Sequence, residues 1–316
     1  MKHIAISLIS IFAATAIGAG MNDTSSATTI ALDYDSASTA GIVGNKELVE
    51  LSGIVAGGVN NDILWVHNDR NNLPRLYALN KRGETVATYS LDTFNKSGNM
   101  SGDWEDIART PGSKNGSFDL YIGDIGDNPL NRTEYRILIV QEPLVERNKS
   151  ALIIKTDFKT IRFHFPDGYF CNNECLIVDP CSKKIFIVSK FVKKDGKKLE
   201  GGMLWSLPEI TSFEKIYTAK LLMDSIPAIK KQRVTGGDIS ADGKYLILRT
   251  SHETAYLWEI RKTQPMEKIL SSTPNRISLA KEAGGEAICF ALDLSKLFTV
   301  YDGKKADRPL HVYPRK

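Results

Sequence analysis

The feature that most constrains this chain is a pattern of short apolar strands that recurs five times. Each repeat opens on a small or acidic pair: Leu51-Ser52-Gly53-Ile54, Trp104-Glu105-Asp106-Ile107, Asn173-Glu174-Cys175-Leu176, Gly236-Gly237-Asp238-Ile239 and Gly285-Glu286-Ala287-Ile288. A second strand follows at 63–67, 120–123, 184–189, 245–249 and 296–300, and a third at 75–79, 135–140, 203–207, 255–260 and 310–313. Fourth strands fit 85–91, 160–165, 216–222 and 277–280. Clusters of Gly, Asn, Asp and Pro separate these segments, and helical periodicity is almost absent.

Four antiparallel strands repeated five times describe an all-β fold, a five-bladed β-propeller. A lone four-stranded sheet cannot bury both faces, but blades packed in a ring cover one another and leave few open edges. The fifth repeat ends after its third strand, so the sequence predicts that a segment from 28–46 supplies the closing outer strand. The repeat starts lie 53, 69, 63 and 49 residues apart, and the excess length falls in 92–102, 143–159, 191–201 and 223–235, which read as loops. A sixth blade in the N-terminal segment is the alternative.

Before the repeats, Lys2 and His3 precede an apolar run from Ile4 to Ile17 and the small residues Gly18, Ala19 and Gly20. A basic start, an apolar stretch too short to span a bilayer and a small-residue exit match a signal peptide over 1–20. The expectation is a secreted or periplasmic protein, not inserted in the membrane once the signal is removed. Residues 21–46, rich in Ser, Thr, Ala and Asp, read as a flexible leader, and 47–316 as one propeller domain. A net charge of +4 is small for 316 residues. The Lys193-Lys194 and Lys197-Lys198 pairs read as a solvated hairpin tip and not as a nucleic-acid patch.

An exported chain with four cysteines sits where disulfides persist. A strand through 174–179 would hold Cys171 and Cys181 about 30 Å apart at roughly 3.3 Å per residue. Cys171–Cys175 across a loop is the easier pairing, with Cys175 and Cys289 also readable as small core residues. No paired Cys-x-x-Cys with attendant His is present to hold zinc. Six Asn-x-Ser/Thr sequons, at Asn22, Asn95, Asn99, Asn115, Asn131 and Asn148, are acceptors only in a eukaryotic secretory route. Trp65, Trp104, Trp205 and Trp258 fall in strands and are read as core between blades.

In a propeller the first strand of each blade lines the central channel. Aligning the repeats puts Ser52, Glu105, Glu174, Gly237 and Glu286 at one level, with Asp106 and Asp238 facing the other way. Three glutamates around a narrow tunnel need a bound cation, amide hydrogen bonds from neighbouring blades, or a raised pKa. Hard oxygen ligands favour Ca²⁺ or Mg²⁺ over zinc.

The turns after the second strands carry His67, Asn68, Asp69, then Asp124, Asp127 and Asn128, then Lys190, Arg249, Tyr301 and Asp302. The run Gly123-Asp124-Ile125-Gly126-Asp127-Asn128 fits either a cation loop or an ordinary Asx-type turn. The sequence therefore offers Glu105, Glu174, Glu286, Asp124 and Asp127 as metal ligands, and Asn68, Asp69, Lys190, Arg249 and Asp302 as ligand-binding residues. Lys190 and Arg249, read as equivalent positions, suit an anionic ligand or ion pairs. No Gly-x-Ser-x-Gly, His-Glu-x-x-His or Walker loop is present.

Glu50-Leu51-Ser52-Gly53-Ile54, Asn68-Asp69, Leu76-Tyr77-Ala78-Leu79, Asp103-Trp104-Glu105-Asp106-Ile107-Ala108 and Gly123-Asp124-Ile125-Gly126-Asp127-Asn128 together resemble a set of secreted propellers that carry these motifs. More distantly, residues 48–313 resemble the SdiA-regulated family of five-bladed propellers and the "esterase-like activity of phytase" group. The resemblance implies a propeller, export, and calcium as cofactor. It settles no reaction, and Ser52 and Gly237 break any symmetric ring of acids. Two functions stay open: a monomeric binding or scaffold module for a small anionic ligand or a protein partner, with a cation at the channel; or a metal-dependent hydrolase of phosphate or small esters.

Overall fold

The structure, a computed structural model, describes residues 32–70, 72–91, 102–146, 153–261, 263–282, 284–301, 303 and 308–316. The segment read as a signal peptide, the start of the leader, Asp302 and the sequons at Asn22, Asn95, Asn99 and Asn148 lie outside the described residues.

Five sheets arranged as a five-bladed propeller account for nearly all the regular structure. Blade 1 runs Leu51–Ala56, Ile63–Asn68, Arg75–Asn80, Thr85–Leu91 from the channel outward. Blade 2 runs Trp104–Pro111, Phe118–Asp124, Tyr135–Gln141, Lys159–His164. Blade 3 comprises Tyr169–Val178, Ile185–Lys194, Leu204–Ser206 and Lys220–Met223. Blade 4 comprises Val234–Ile239, Tyr245–Thr250, Thr254–Glu259 and Asn275–Ser278. Blade 5 runs Gly285–Phe290, Lys296–Tyr301, Pro309–Pro314, and its outer strand is Ser38–Ile42, paired antiparallel to the third. The last blade is thus built from both ends of the described chain, which ties the ring together. Residues 32–46 are packed against it, with Leu32, Tyr34 and Val43 buried.

Strand alternation sends the two faces of each blade into different cores. In blade 2, Leu120 and Ile122 enter the core shared with blade 1, while Tyr121 and Ile125 enter the one shared with blade 3. Five such clusters form, one between each pair of neighbouring blades. The four tryptophans fill three of them and are among the most buried side chains. Their indole N–H groups are satisfied where geometry permits: Trp65 donates to Glu142 (3.0 Å), Trp205 to Ser189 (2.9 Å) and Trp258 to the Ser272 carbonyl (3.1 Å).

Two stretches read as loops contain strands. Ile153–Thr156 adds in parallel to the edge of blade 1, and Lys197–Glu200 folds back on Ile185–Lys194 as a hairpin. Ile216–Thr218 likewise pairs in parallel with the outer strand of blade 2, so neighbouring blades share their edges.

The expected disulfide is corrected: all four cysteines are free thiols. Cys171 and Cys175 lie on one strand, opposite Val192 and Val188, and not across a loop. A bulge at Asn173–Glu174 turns Cys171 into the blade 2–3 core and Cys175 into the blade 3–4 core. Four residues of extended chain span about 13 Å, twice the reach of a disulfide.

Candidate functional site

Every innermost strand carries a bulge at the same level. The pairing skips one residue in each blade: Ser52, Glu105, Glu174, Thr235 and Glu286. A bulge re-aims its side chain, and here five of them converge at one end of the channel. The fourth member is Thr235, two residues before Gly237; the register opposes Gly236 to Arg249, where blade 2 opposes Asp106 to Gly123. The Gly-Asp-Ile of blade 4 mimics the Glu-Asp-Ile of blade 2 in sequence but lies deeper in the channel.

The two hydroxyl members brace the next blade. Ser52 donates to the Glu105 carbonyl at 2.7 Å, and Thr235 to the Gly285 carbonyl at 2.8 Å. Deeper in the channel, Asp106 accepts from the Leu176 amide (2.9 Å) and Asp238 from the Phe290 amide (2.9 Å). Amide capping between blades is therefore the work of these aspartates, and the glutamates are left for something else.

Glu105 is 2% exposed, yet its best side-chain partner is the Ser52 hydroxyl at 3.4 Å, and its Oε1 has none. Burial pushes its pKa well up, and Glu174, Asp69, Asp103 and Glu286 push it further. Glu286 is raised by burial and then by Glu174, and its Oε2 is also buried without a partner. Glu174 is raised by burial against the pull of Lys190, whose ammonium lies 2.5 Å away. Burial alone would lower Lys190, but Glu174 and then Glu286 outweigh it.

Beside Glu105 stand two aspartates. Asp69 follows the second strand of blade 1, and Asp103 immediately precedes the first strand of blade 2. Asp69, Asp103 and Glu105 each bring a carboxylate oxygen within 4.8 Å of the others. Asp103 Oδ1 is buried without a hydrogen-bond partner. Burial raises both aspartates, Asp69 to about 7. The loop after the second strand of blade 2 closes over them at Gly126, where a Cβ would collide with Glu105 Oε1 and the Asp103 carboxylate.

The remaining expected residues are committed elsewhere. Asp124 pairs with Arg132 (2.9 Å) and Arg136 (2.6 Å) and accepts from the Asp103 amide (2.8 Å). Asp127 accepts from the Asn131 and Arg132 amides, four and five residues on, and from the Tyr135 hydroxyl, so its carboxylate braces the loop that follows it. Asn68 straps the chain at Glu47 and Glu50, donating to the Glu47 carbonyl at 2.6 Å. Arg249 is not the equivalent of Lys190: its register matches His67, two residues deeper. It is a buried partner of Glu282 at 2.8 Å, and its Nε is buried without a partner. His67 is buried against Trp104, and burial lowers its pKa to about 4.

The structure thus joins Asp69 and Glu105, from two different expected sets, with Asp103, which was assigned to neither. The missed signal was the period of two: Asp103 and Glu105 share a strand face.

No family model and no curated protein matches the chain. Among solved structures it is similar to the major allergen Mala s 1 of Malassezia sympodialis, with a TM-score of 0.52 at 9% identity, covering 87% of this chain and 95% of that one. A luciferin-regenerating enzyme matches with a TM-score of 0.41 at 10% identity, over 87% of this chain and 94% of that one. At such identities the likeness is one of fold alone.

Proposed function

We propose that the chain is an exported binding module that holds a divalent cation, of the calcium class, at the mouth of its channel through Asp69, Asp103 and Glu105. One observation carries the reading: two of these carboxylates keep buried oxygens with no hydrogen-bond partner. Such atoms are costly unless a ligand satisfies them. The donor set fits, since three clustered carboxylate oxygens are hard ligands suited to Ca²⁺ and poorly suited to zinc. A bound cation would supply the positive charge that Glu105 lacks. Lys190, paired with Glu174 on the neighbouring blade 3, then gives the mouth a second cation for an anionic ligand.

Isothermal titration with CaCl₂, MgCl₂ and ZnCl₂ tests this. Calcium binding that Asp103→Asn and Glu105→Gln abolish, and Asp124→Asn leaves in place, is the expected result. Absence of heat with calcium and magnesium sinks the reading. The second reading, metal-assisted hydrolysis of phosphate or small esters, draws on Lys190 beside the same acids. Turnover of p-nitrophenyl phosphate or acetate that depends on calcium and is lost in Glu105→Gln separates it from simple binding.

A further inference from the structure

The strand Ile185–Lys194 continues past Lys190, still paired with Tyr169–Asn172 of its own blade, turns at Asp195-Gly196 and returns as Lys197–Glu200. Both turn residues have positive φ, 49° and 80°, the turn that suits a two-residue hairpin. Pairing sets Lys194 opposite Lys197 and Lys193 opposite Lys198. Like charges directly across a ladder destabilise it, so these cross-strand pairs do not hold the hairpin together. Among the described residues none of the four lysines joins an ion pair.

Aromatic rings lie against three of the four, Lys193 and Lys198 on one face of the ribbon and Lys194 on the other. Lys193 lies over Phe170 (4.6 Å), Lys194 over Tyr169 (4.8 Å) and Lys198 over Phe191 (4.2 Å). All four residues of Lys197–Glu200 are exposed, and the strand pairs on one side only, with Phe191–Lys194. Beside it lies a cavity of about 610 Å³ whose walls include Lys194, Leu199, Glu200, Asp224, Lys230 and Lys231. The acids near this trough are Asp195, Glu200 and Asp224, fewer than the lysines around it.

We propose that this open edge takes up an acidic, extended segment of a partner protein as an added strand. Backbone pairing supplies the affinity and the lysines select the charge. Counting from the turn, the pairs alternate between hydrogen-bonded and non-bonded. Lys194–Lys197 is bonded, so the N–H and C=O of Lys198 and Glu200 face the open edge. Lysines on an edge repel a second copy of this chain, which carries the same charges. The same charges favour an acidic strand, and the trough gives its side chains room.

Fluorescence anisotropy with a labelled peptide of alternating glutamate and valine tests the proposal on the full chain. Saturable binding is expected, with K197E/K198E weaker by about tenfold or more, a loss of about 1.4 kcal/mol. Glu200 separates strand addition from charge attraction. Glu200→Gln removes a negative charge and tightens binding. Glu200→Pro removes the same charge and also the outward N–H, at an edge position where proline is tolerated, and it weakens binding. Since Glu200→Gln and K197E/K198E keep every backbone donor of the hairpin, they read the site even if the proline variant loses stability. Absence of peptide binding overturns the proposal, as does Glu200→Pro binding as tightly as Glu200→Gln. Heparin or phosphatidylserine vesicles binding through the same lysines more tightly than the peptide would also overturn it.

Discussion

Glu282 and Glu105 are nearly equally withdrawn from water, at 7% and 2% exposure, yet the fold treats them in opposite ways. Glu282 accepts from Arg249 (2.8 Å), Thr299 (2.6 Å) and His311 (2.6 Å). Burial would raise its pKa, but Arg249, His311 and Thr299 together hold it below the ordinary value of 4.5. Glu105 has one long contact, an orphaned oxygen, and four acids around it, and its pKa goes up. Burial is common to both; the partners decide. Glu282 locks Lys296–Tyr301 and Pro309–Pro314 of blade 5 to Arg249 of blade 4. Glu105 contributes no such bond; the cation proposed above would supply the partner it lacks.

The comparison breaks most visibly at Glu282. Replacing it with Gln leaves the buried Arg249 guanidinium uncompensated, and the expected loss is about 3–5 kcal/mol in urea unfolding. A loss below about 1 kcal/mol would mean that Glu282 is no better held than Glu105. The next effect concerns the cation. Calcium at about a hundred times its dissociation constant stabilises a single-site protein by about 2.7 kcal/mol. That gain should vanish in Asp103→Asn. Without calcium, in EDTA, Glu105→Gln should raise stability by about 1 kcal/mol, because it removes a buried carboxyl that must either take up a proton at its raised pKa or carry a charge that nothing pairs. Destabilisation there would show that Glu105 has a structural partner after all.

The ring itself was legible because blade formation is written in local patterning: strand period, turn residues and the five repeats. The missing fourth strand of the last repeat pointed to a partner strand elsewhere in the chain, and Ser38–Ile42 occupies that edge. The site was legible only in part, and the reason is register. A bulge shifts every later residue by one, and no residue type announces it, so Thr235 was hidden behind the more conspicuous Gly237-Asp238. Asp124 and Asp127 are the densest acids of the chain, but Arg132, Arg136, Tyr135 and nearby amides consume their lone pairs. Carboxylate density in sequence marks turns as readily as ligands; the orphaned oxygens of Asp103 and Glu105 are visible only in three dimensions.

The smallest effect is the pH dependence, and its sign separates the two regions. A carboxyl held below its ordinary pKa, such as Glu282, stabilises the fold above that value and stops doing so as pH falls through the lowered one. At the mouth the shifts run upward, with Asp69 at about 7 against an ordinary 3.8. The folded protein then binds the extra proton, so this contribution is present below about pH 4 and is lost as pH rises through about 7. Asp238, raised by burial to about 7, adds the same sign, whereas His67, lowered to about 4, costs stability as pH falls from 6.5. Wild type minus Asp69→Asn/Glu105→Gln cancels those two background groups. In EDTA this difference should grow against the wild type by on the order of 1 kcal/mol between about pH 5 and pH 8, a figure reduced for the partial exposure of Asp69. Saturating calcium, which takes the place of the protons, should flatten that slope. A slope that calcium leaves unchanged would place the cation away from these acids, and the contrast between Glu105 and Glu282 would then be one of electrostatics alone.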